Sequence, residues 1–161
     1  MSAPERIAEA LPQGVQVPLR RVHALAEEHG WSVYLVGGFV RDALLGSFQK
    51  DIDLAVVGDG VALAQLLASE LGTQAEVADR FGTATVAVGG GLDLDFVTAR
   101  KESYPAPGAL PVVEPGTLED DLARRDFTIN ALAVPLEGGF GAIIDEHGGI
   151  ADLAARLIRV L

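Results

Sequence analysis

The 161-residue sequence predicts an α/β (α+β) fold, one domain with a mixed central sheet flanked by helices. Three observations predict it. Apolar residues change along the chain between helical and strand periodicity. Glycines punctuate most of the changes. Beyond Gly72 strand-like runs follow one another without intervening helices, so hairpins interrupt the βαβ rhythm and a purely parallel sheet is not expected. With 49% hydrophobic residues, a chain of this length can build a core.

The elements follow in order. Residues 1–16 mix charge, proline and glycine and are expected to form a poorly ordered N-terminal segment. Val17 to His29 places Leu19, Val22, Ala24, Leu25 and Ala26 on a helical face, with Gly30 as the stop. Ser32 to Val36 reads as a strand broken by Gly37-Gly38, and Phe39 to Leu45 as a helix ended by Gly46. Ile52 to Val57 is a second strand, closed by Gly58-Asp59-Gly60, and Val61 to Leu71 a helix ended by Gly72. Ala75 to Ala78, Thr83 to Val88 and Leu92 to Thr98 read as strands, the last two joined by Gly89-Gly90-Gly91 as a hairpin turn. Tyr104 to Gly116 contains Pro105, Pro107, Pro111 and Pro115 and is expected to be an irregular loop. Thr117 caps a helix over Leu118 to Ala123. Short apolar elements follow at Ile129 to Val134 and Ala142 to Ile144, then a short helix over Asp152 to Arg156 and a final strand over Leu157 to Val160.

Composition excludes some function classes. The chain has no cysteine, so disulfides and thiolate metal sites are ruled out, which fits a reducing compartment. The N-terminus lacks a basic stretch followed by an apolar one, and no apolar run approaches the ~20 residues that a spanning helix needs. A cytoplasmic protein is expected. Lys plus Arg number 12 and Asp plus Glu 23, a formal net charge of −11. Nucleic-acid affinity rests on neutralised phosphates, so a long RNA is not expected to be gripped by this chain itself. An acidic surplus can still surround a divalent-cation site.

Two constellations carry chemistry. In the first, Gly37-Gly38 joins a strand to a helix, where glycine allows a close backbone approach and the helix start offers N–H groups to phosphate; Arg41 is near enough to reach the same anion. Asp51-Ile52-Asp53 follows, and residues two apart on a strand share a face. Carboxylates held that close call for a cation, and Mg²⁺ suits such oxygens together with phosphates and water. If Leu92 to Thr98 lies beside this strand, Asp93 or Asp95 adds a third carboxylate, Asp93 being the lesser candidate. In the second constellation, Arg124-Arg125-Asp126 pairs two arginines with an aspartate that can orient them as a guanidinium fork for triphosphate, and Asn130 can bond a ribose hydroxyl. Each motif taken alone also fits a tight turn, a solvated strand face or a salt-bridged surface helix.

The ordered set is more specific. Gly37-Gly38-Phe39-Val40-Arg41-Asp42, Lys50-Asp51-Ile52-Asp53, Asp95-Phe96-Val97-Thr98-Ala99-Arg100-Lys101-Glu102 and Leu118 to Ala131, followed by Ile143-Ile144-Asp145, Gly149, Asp152-Leu153 and Leu157-Ile158-Arg159, resemble the head domain of class II tRNA CCA-adding enzymes and bacterial poly(A) polymerases. The resemblance runs from about Val33 to the C-terminus and implies a nucleotidyltransferase head fold over residues 1–161, the family's neck, body and tail domains being absent. It implies an ATP- and RNA-binding transferase of tRNA processing, acting in CCA addition or poly(A) synthesis.

Residue by residue, the resemblance implies that Asp51 and Asp53 hold metal, two Mg²⁺ ions being expected, and that Asp95 is the third catalytic carboxylate. Gly37, Gly38, Arg41, Arg100, Arg125, Asp126 and Asn130 are implied in nucleotide binding, with Arg124 less firmly attached. The segment Glu102 to Gly116 resembles a mobile loop beside the site, which Arg100 organises unless it contacts phosphate itself. The implied reaction transfers a nucleoside monophosphate from CTP or ATP to an RNA 3′-hydroxyl with loss of pyrophosphate and without a template. RNA is expected to be held through the other domains. Two alternatives stand beside this: a non-catalytic nucleotide-binding module, and a minimal nucleotidyltransferase acting on another acceptor.

Overall fold

The computed structural model describes residues 2–47, 50–137 and 139–161. In place of the poorly ordered segment expected over residues 1–16, helix α1 occupies Ala3–Ala10. Ser2 and Glu5 form a reciprocal capping box, which satisfies the first free N–H groups. The apolar residues of this stretch, Ile7, Leu11 and Val15, are all buried in the core. Their burial is what orders the segment.

Helix α2 (Gln16–Glu28), strand β1 (Ser32–Val36), helix α3 (Gly38–Leu44), strand β2 (Asp51–Val57) and helix α4 (Gly60–Leu71) then follow. Strands β3 (Glu76–Ala78), β4 (Thr83–Gly89) and β5 (Leu92–Thr98) form a meander. With strand β8 (Ala133–Pro135) they build a six-stranded sheet in the order β3-β4-β5-β2-β1-β8. Among the described residues only β2 and β5 run parallel; every other neighbouring pair is antiparallel. The mixed sheet therefore matches the expected fold class.

The two faces of the sheet differ. Ile52, Leu54, Val56, Leu94 and Phe96 are fully buried on one face, under α2 and α4, whose Leu63 and Leu67 are equally buried. The alternation of side chains places Asp51, Asp53 and Ala55 on the opposite face. Helix α5 (Leu118–Ala123) covers part of that face, Leu118 and Leu122 packing with Val36, Ala55, Ala131 and Ala133. The carboxylates at the start of β2 lie on the α5 side, away from the main core.

Two further elements differ from expectation. Val112–Pro115, expected in an irregular loop, forms strand β7 and pairs antiparallel with strand β6 (Arg100–Ser103). The adjacent β-branched valines favour a strand, and Pro115 ends it, where a missing N–H interrupts no ladder. The final strand expected over Leu157 to Val160 is reduced to a bridge between Phe127 and Val160. Two flanking backbone bonds, Thr128 N–H to Arg159 and Leu161 N–H to Asp126, support it. It follows α6 (Gly149–Ala154) through Arg156, whose φ of 55° turns the chain out of the helix. Among the described residues no helix is long and apolar enough to cross a membrane.

Candidate active site

The site begins at the end of β1. Gly37 caps α3 with φ 71° and ψ −141°, a conformation that residues with a Cβ avoid. Its surroundings are as restrictive as its dihedrals. A Cβ built there would lie 2.9 Å from Nη1 of Arg125 and 3.5 Å from Oδ2 of Asp53. The glycine turn, the β2 carboxylate and an arginine from beyond α5 thus meet at one point. At Gly38 a Cβ would come 3.4 Å from Nη2 of Arg41.

Register completes the carboxylate group. In the parallel β2–β5 pair Asp53 stands opposite Asp95 and Asp51 opposite Asp93. Cross-strand partners share a face, so all of these carboxylates project to the side of α5. Asp93 is thus no more remote from β2 than Asp95; it neighbours Asp51. Asp95 is distinguished by its other neighbour, because Thr85 on β4 donates its hydroxyl proton to Oδ1 of Asp95. Burial pushes the Asp53 carboxyl above the usual carboxylate range, Asp95 and Asp51 add to the rise, and Arg125 opposes it.

Such a group suits a hard divalent cation. Its donors are all carboxylate oxygens, and the charged form of its central member, Asp53, is disfavoured by burial and by the neighbouring Asp95, a cost that a bound cation would offset. Among the described residues no three His, Asp or Glu side chains converge into a preformed cage. Remaining ligands would have to come from phosphate and water, as is usual for Mg²⁺.

The cationic side is built by two networks. Arg41 donates through Nε and Nη2 to both oxygens of buried Asp42, at 2.7 and 3.1 Å, and through Nη1 to Oδ1 of Asn130 at 2.6 Å. These hydrogen bonds to Asp42 hold the Arg41 pKa above its ordinary value. Asn130 closes a single 3₁₀ turn at Thr128–Asn130, and its amide donates to Asp126 at 3.2 Å. In the second network Arg124 donates to Oδ1 of Asp121 at 2.7 Å, and Arg125 to Oδ2 of the same residue at 2.9 Å. Asp121 is completely buried. Arg125 keeps Nη1 directed toward Gly37, with only a long 3.5 Å bond to the Asn130 carbonyl.

Asp121 is the residue that sequence reasoning missed. The aspartate adjacent to the paired arginines, Asp126, was expected to orient them. It instead accepts hydrogen bonds from its neighbour's backbone N–H at Phe127 and from Asn130. A residue next in sequence points elsewhere on the turn, whereas Asp121 is three and four positions before the arginines, the spacing at which helical side chains meet. That spacing was the available signal.

Arg100 is the candidate that the structure does not bring to this point. It lies beyond the end of β5, where Nη1 donates to the Phe81 carbonyl at 3.2 Å and Nη2 pairs with Glu102 at 3.0 Å. Its contacts tie the β6–β7 hairpin to the turn before β4. The other candidates, Asp51, Asp53, Asp95, Gly37, Gly38, Arg41, Arg125, Asp126 and Asn130, cluster around the ends of β1 and β2.

The family described as the poly A polymerase head domain matches residues 33–159. The A-adding tRNA nucleotidyltransferase of Geobacter sulfurreducens is 46% identical over 152 residues, covering 94% of this chain and 17% of the relative. The CC-adding tRNA nucleotidyltransferase of Deinococcus radiodurans is 45% identical over 128 residues, covering 79% of this chain and 34% of the relative. Among solved structures, a tRNA nucleotidyltransferase complexed with a primer tRNA and an incoming ATP analogue superposes with a TM-score of 0.75 at 42% identity, covering 87% of this chain and 38% of that one. The chain thus spans well under half the length of each of these proteins.

Proposed function

The chain belongs to the poly A polymerase head-domain family, and from that premise we propose that it is the catalytic head of a template-independent nucleotidyltransferase. It moves a nucleoside monophosphate from CTP or ATP to the 3′-hydroxyl of a tRNA or other RNA. One observation supports the reading beyond family membership: Asp53 and Arg125 approach the same face of Gly37, so the proposed cation and phosphate sites adjoin at a bare backbone turn.

The residues divide the work. The triphosphate lies against Gly37 and Gly38, where the lack of side chains leaves room. Arg41 and Arg125 bind its oxygens, held in place by Asp42 with Asn130 and by Asp121 respectively. Asp51 and Asp53 would hold the cations, two Mg²⁺ in this reading. When bound, these would neutralise phosphate charge and make the attacking hydroxyl more acidic. The 3′-oxygen forms a bond to the α-phosphorus while the bond to the bridging β-phosphate oxygen breaks, and pyrophosphate leaves. Asp95, with one oxygen taken by Thr85, has the other to hold a cation or to accept the hydroxyl proton.

Base choice is not assigned to the head. Relatives named A-adding and CC-adding are almost equally similar to this chain, at 46% and 45% identity. The net charge of −11 supports a reading in which RNA is gripped outside the head, by a portion corresponding to the part of the relatives that the chain does not cover. A cytoplasmic location belongs to the same reading and is supported by relatives named as tRNA nucleotidyltransferases.

The test is direct. Mg²⁺ with ATP or CTP should raise the melting temperature of the chain and support label transfer to tRNA lacking its 3′ end. Asp53→Ala should remove both effects. A thermal gain that survives Asp53→Ala would overturn the assignment.

A further inference from the structure

The β6–β7 hairpin reaches the nucleotide site through a continuous line of ion pairs. Glu102 on β6 is the outer member. Its Oε1 lies 3.0 Å from Nη2 of Arg100 and 3.9 Å from Nη1 of Arg124, and its Oε2 accepts the Tyr104 hydroxyl at 3.1 Å. Arg124 in turn shares the buried Asp121 carboxylate with Arg125, whose guanidinium stands over Gly37. Asp121 thus has one oxygen facing each arginine. Anything that shifts Arg124 alters the position and the charge balance of the carboxylate that holds Arg125.

Resting on the proposed nucleotide role of Arg125, we infer that Glu102 is a positioning residue for nucleotide binding, acting from the hairpin through Arg124 and Asp121. Glu102 does not reach the Gly37 turn itself. Its side chain is only 13% exposed, against 18% for Arg100 and 22% for Arg124, so the group is shielded rather than a solvated surface pair. Charge pairs of low exposure couple more strongly than exposed ones, which are screened and worth little. Removing the charge of Glu102 leaves Arg124 with Asp121 as its sole carboxylate among the described residues. Arg124, no longer held from the hairpin side, then stops bracing the Asp121 carboxylate that holds Arg125, and loss of Arg124 itself has the same effect. The hairpin therefore sets the affinity of a site it does not line.

The test is a double-substitution cycle read by calorimetric binding of ATP and of CTP, with Mg²⁺, to the whole chain. Glu102→Gln and Arg124→Gln should each weaken binding about fivefold, and the pair together about fivefold rather than the roughly 25-fold of independent sites. Both changes keep the Asp121–Arg125 pair, and melting curves report whether the fold is intact. A merely structural role for Glu102 would lower the melting temperature without producing the non-additivity. Wild-type affinity in Glu102→Gln, or additive losses, would overturn the inference. Arg125→Ala separates the two claims. If it abolishes binding while Glu102→Gln does not weaken it, the site reading stands and the relay falls. If Arg125→Ala binds like wild type, the role of Arg125 falls and takes the relay with it.

Discussion

The guanidinium of Arg125 occupies the space that a side chain on residue 37 would need, with Nη1 2.9 Å from the position of a Cβ on Gly37. The obstacle is the far end of a flexible side chain, so Gly37→Ala should fold by displacing Arg125. The backbone strain at φ 71° and ψ −141° remains and should cost about 1–3 kcal/mol of stability. Nucleotide affinity should fall by about tenfold or more, because the displaced group is the proposed charge-assisted phosphate donor. Urea unfolding together with nucleotide titration checks both. A stable Gly37→Ala protein with undiminished affinity would separate Arg125 from the phosphate site.

Asp53 offers a prediction of opposite sign for stability and activity. Its pKa is raised by burial and by Asp95, so its charged form is less stable folded than unfolded. At neutral pH the ionised group therefore opposes folding. Asp53→Asn should melt at a higher temperature than wild type in the presence of a chelator. The same variant should lose the thermal gain from Mg²⁺ and nucleotide, and nucleotide transfer with it. Differential scanning fluorimetry with and without chelator reads all of these arms, and a lower melting temperature in chelator would contradict the electrostatic account.

The contrast between Asp53 and Asp121 shows what a sequence discloses. Alternation of acid and apolar residues along Leu92 to Phe96 put Asp93 and Asp95 on one face in advance. Strand register, a property of the assembled sheet, set Asp95 against Asp53 and Asp93 against Asp51. Gly37-Gly38 was legible as a turn, but the approach of Arg125 to it depends on packing of α5 across the sheet. Asp121 sits in the run Glu119-Asp120-Asp121, which reads as a solvated face, and only the packing of Leu118 and Leu122 turns the third of these acids inward. Prolines concealed β7 for the same kind of reason: propensity is local, while pairing with β6 is not.

Asp121 should be among the most sensitive positions in the chain. It is completely buried and holds two guanidinium groups, one on each oxygen. Removing one partner of a buried ion pair leaves uncompensated charge and costs about 3–5 kcal/mol. Asp121→Ala should lose stability on that scale. Asp121→Asn keeps one acceptor oxygen and should lose less, yet it can no longer serve both arginines, so its nucleotide affinity should fall even where it remains folded. Chemical denaturation ranks the two variants. Equal stability of Asp121→Ala and wild type would show that neither arginine depends on this carboxylate.

Another buried aspartate anchors the C-terminal segment and supplies the pH prediction. Asp152 on α6 accepts from Nε and Nη2 of Arg159 at 3.0 and 3.1 Å and from the Thr128 hydroxyl at 2.7 Å. The hydrogen bonds from Arg159 and then from Thr128 hold its carboxyl below the usual carboxylate range. A group whose pKa is lower folded than unfolded stabilises the fold above its unfolded pKa, about 3.9 for aspartate, and ceases to do so as pH falls through the folded value. Its contribution is therefore complete at neutral pH and disappears only in the acid range below about pH 4. Other carboxylates titrate in that range too, so the difference between two proteins is the informative quantity. Asp152→Asn should be less stable than wild type at neutral pH, and the gap should close as pH drops below about 4. Unfolding free energies across that range measure it, and a gap that stays constant with pH would show that Asp152 acts through packing rather than through its charge.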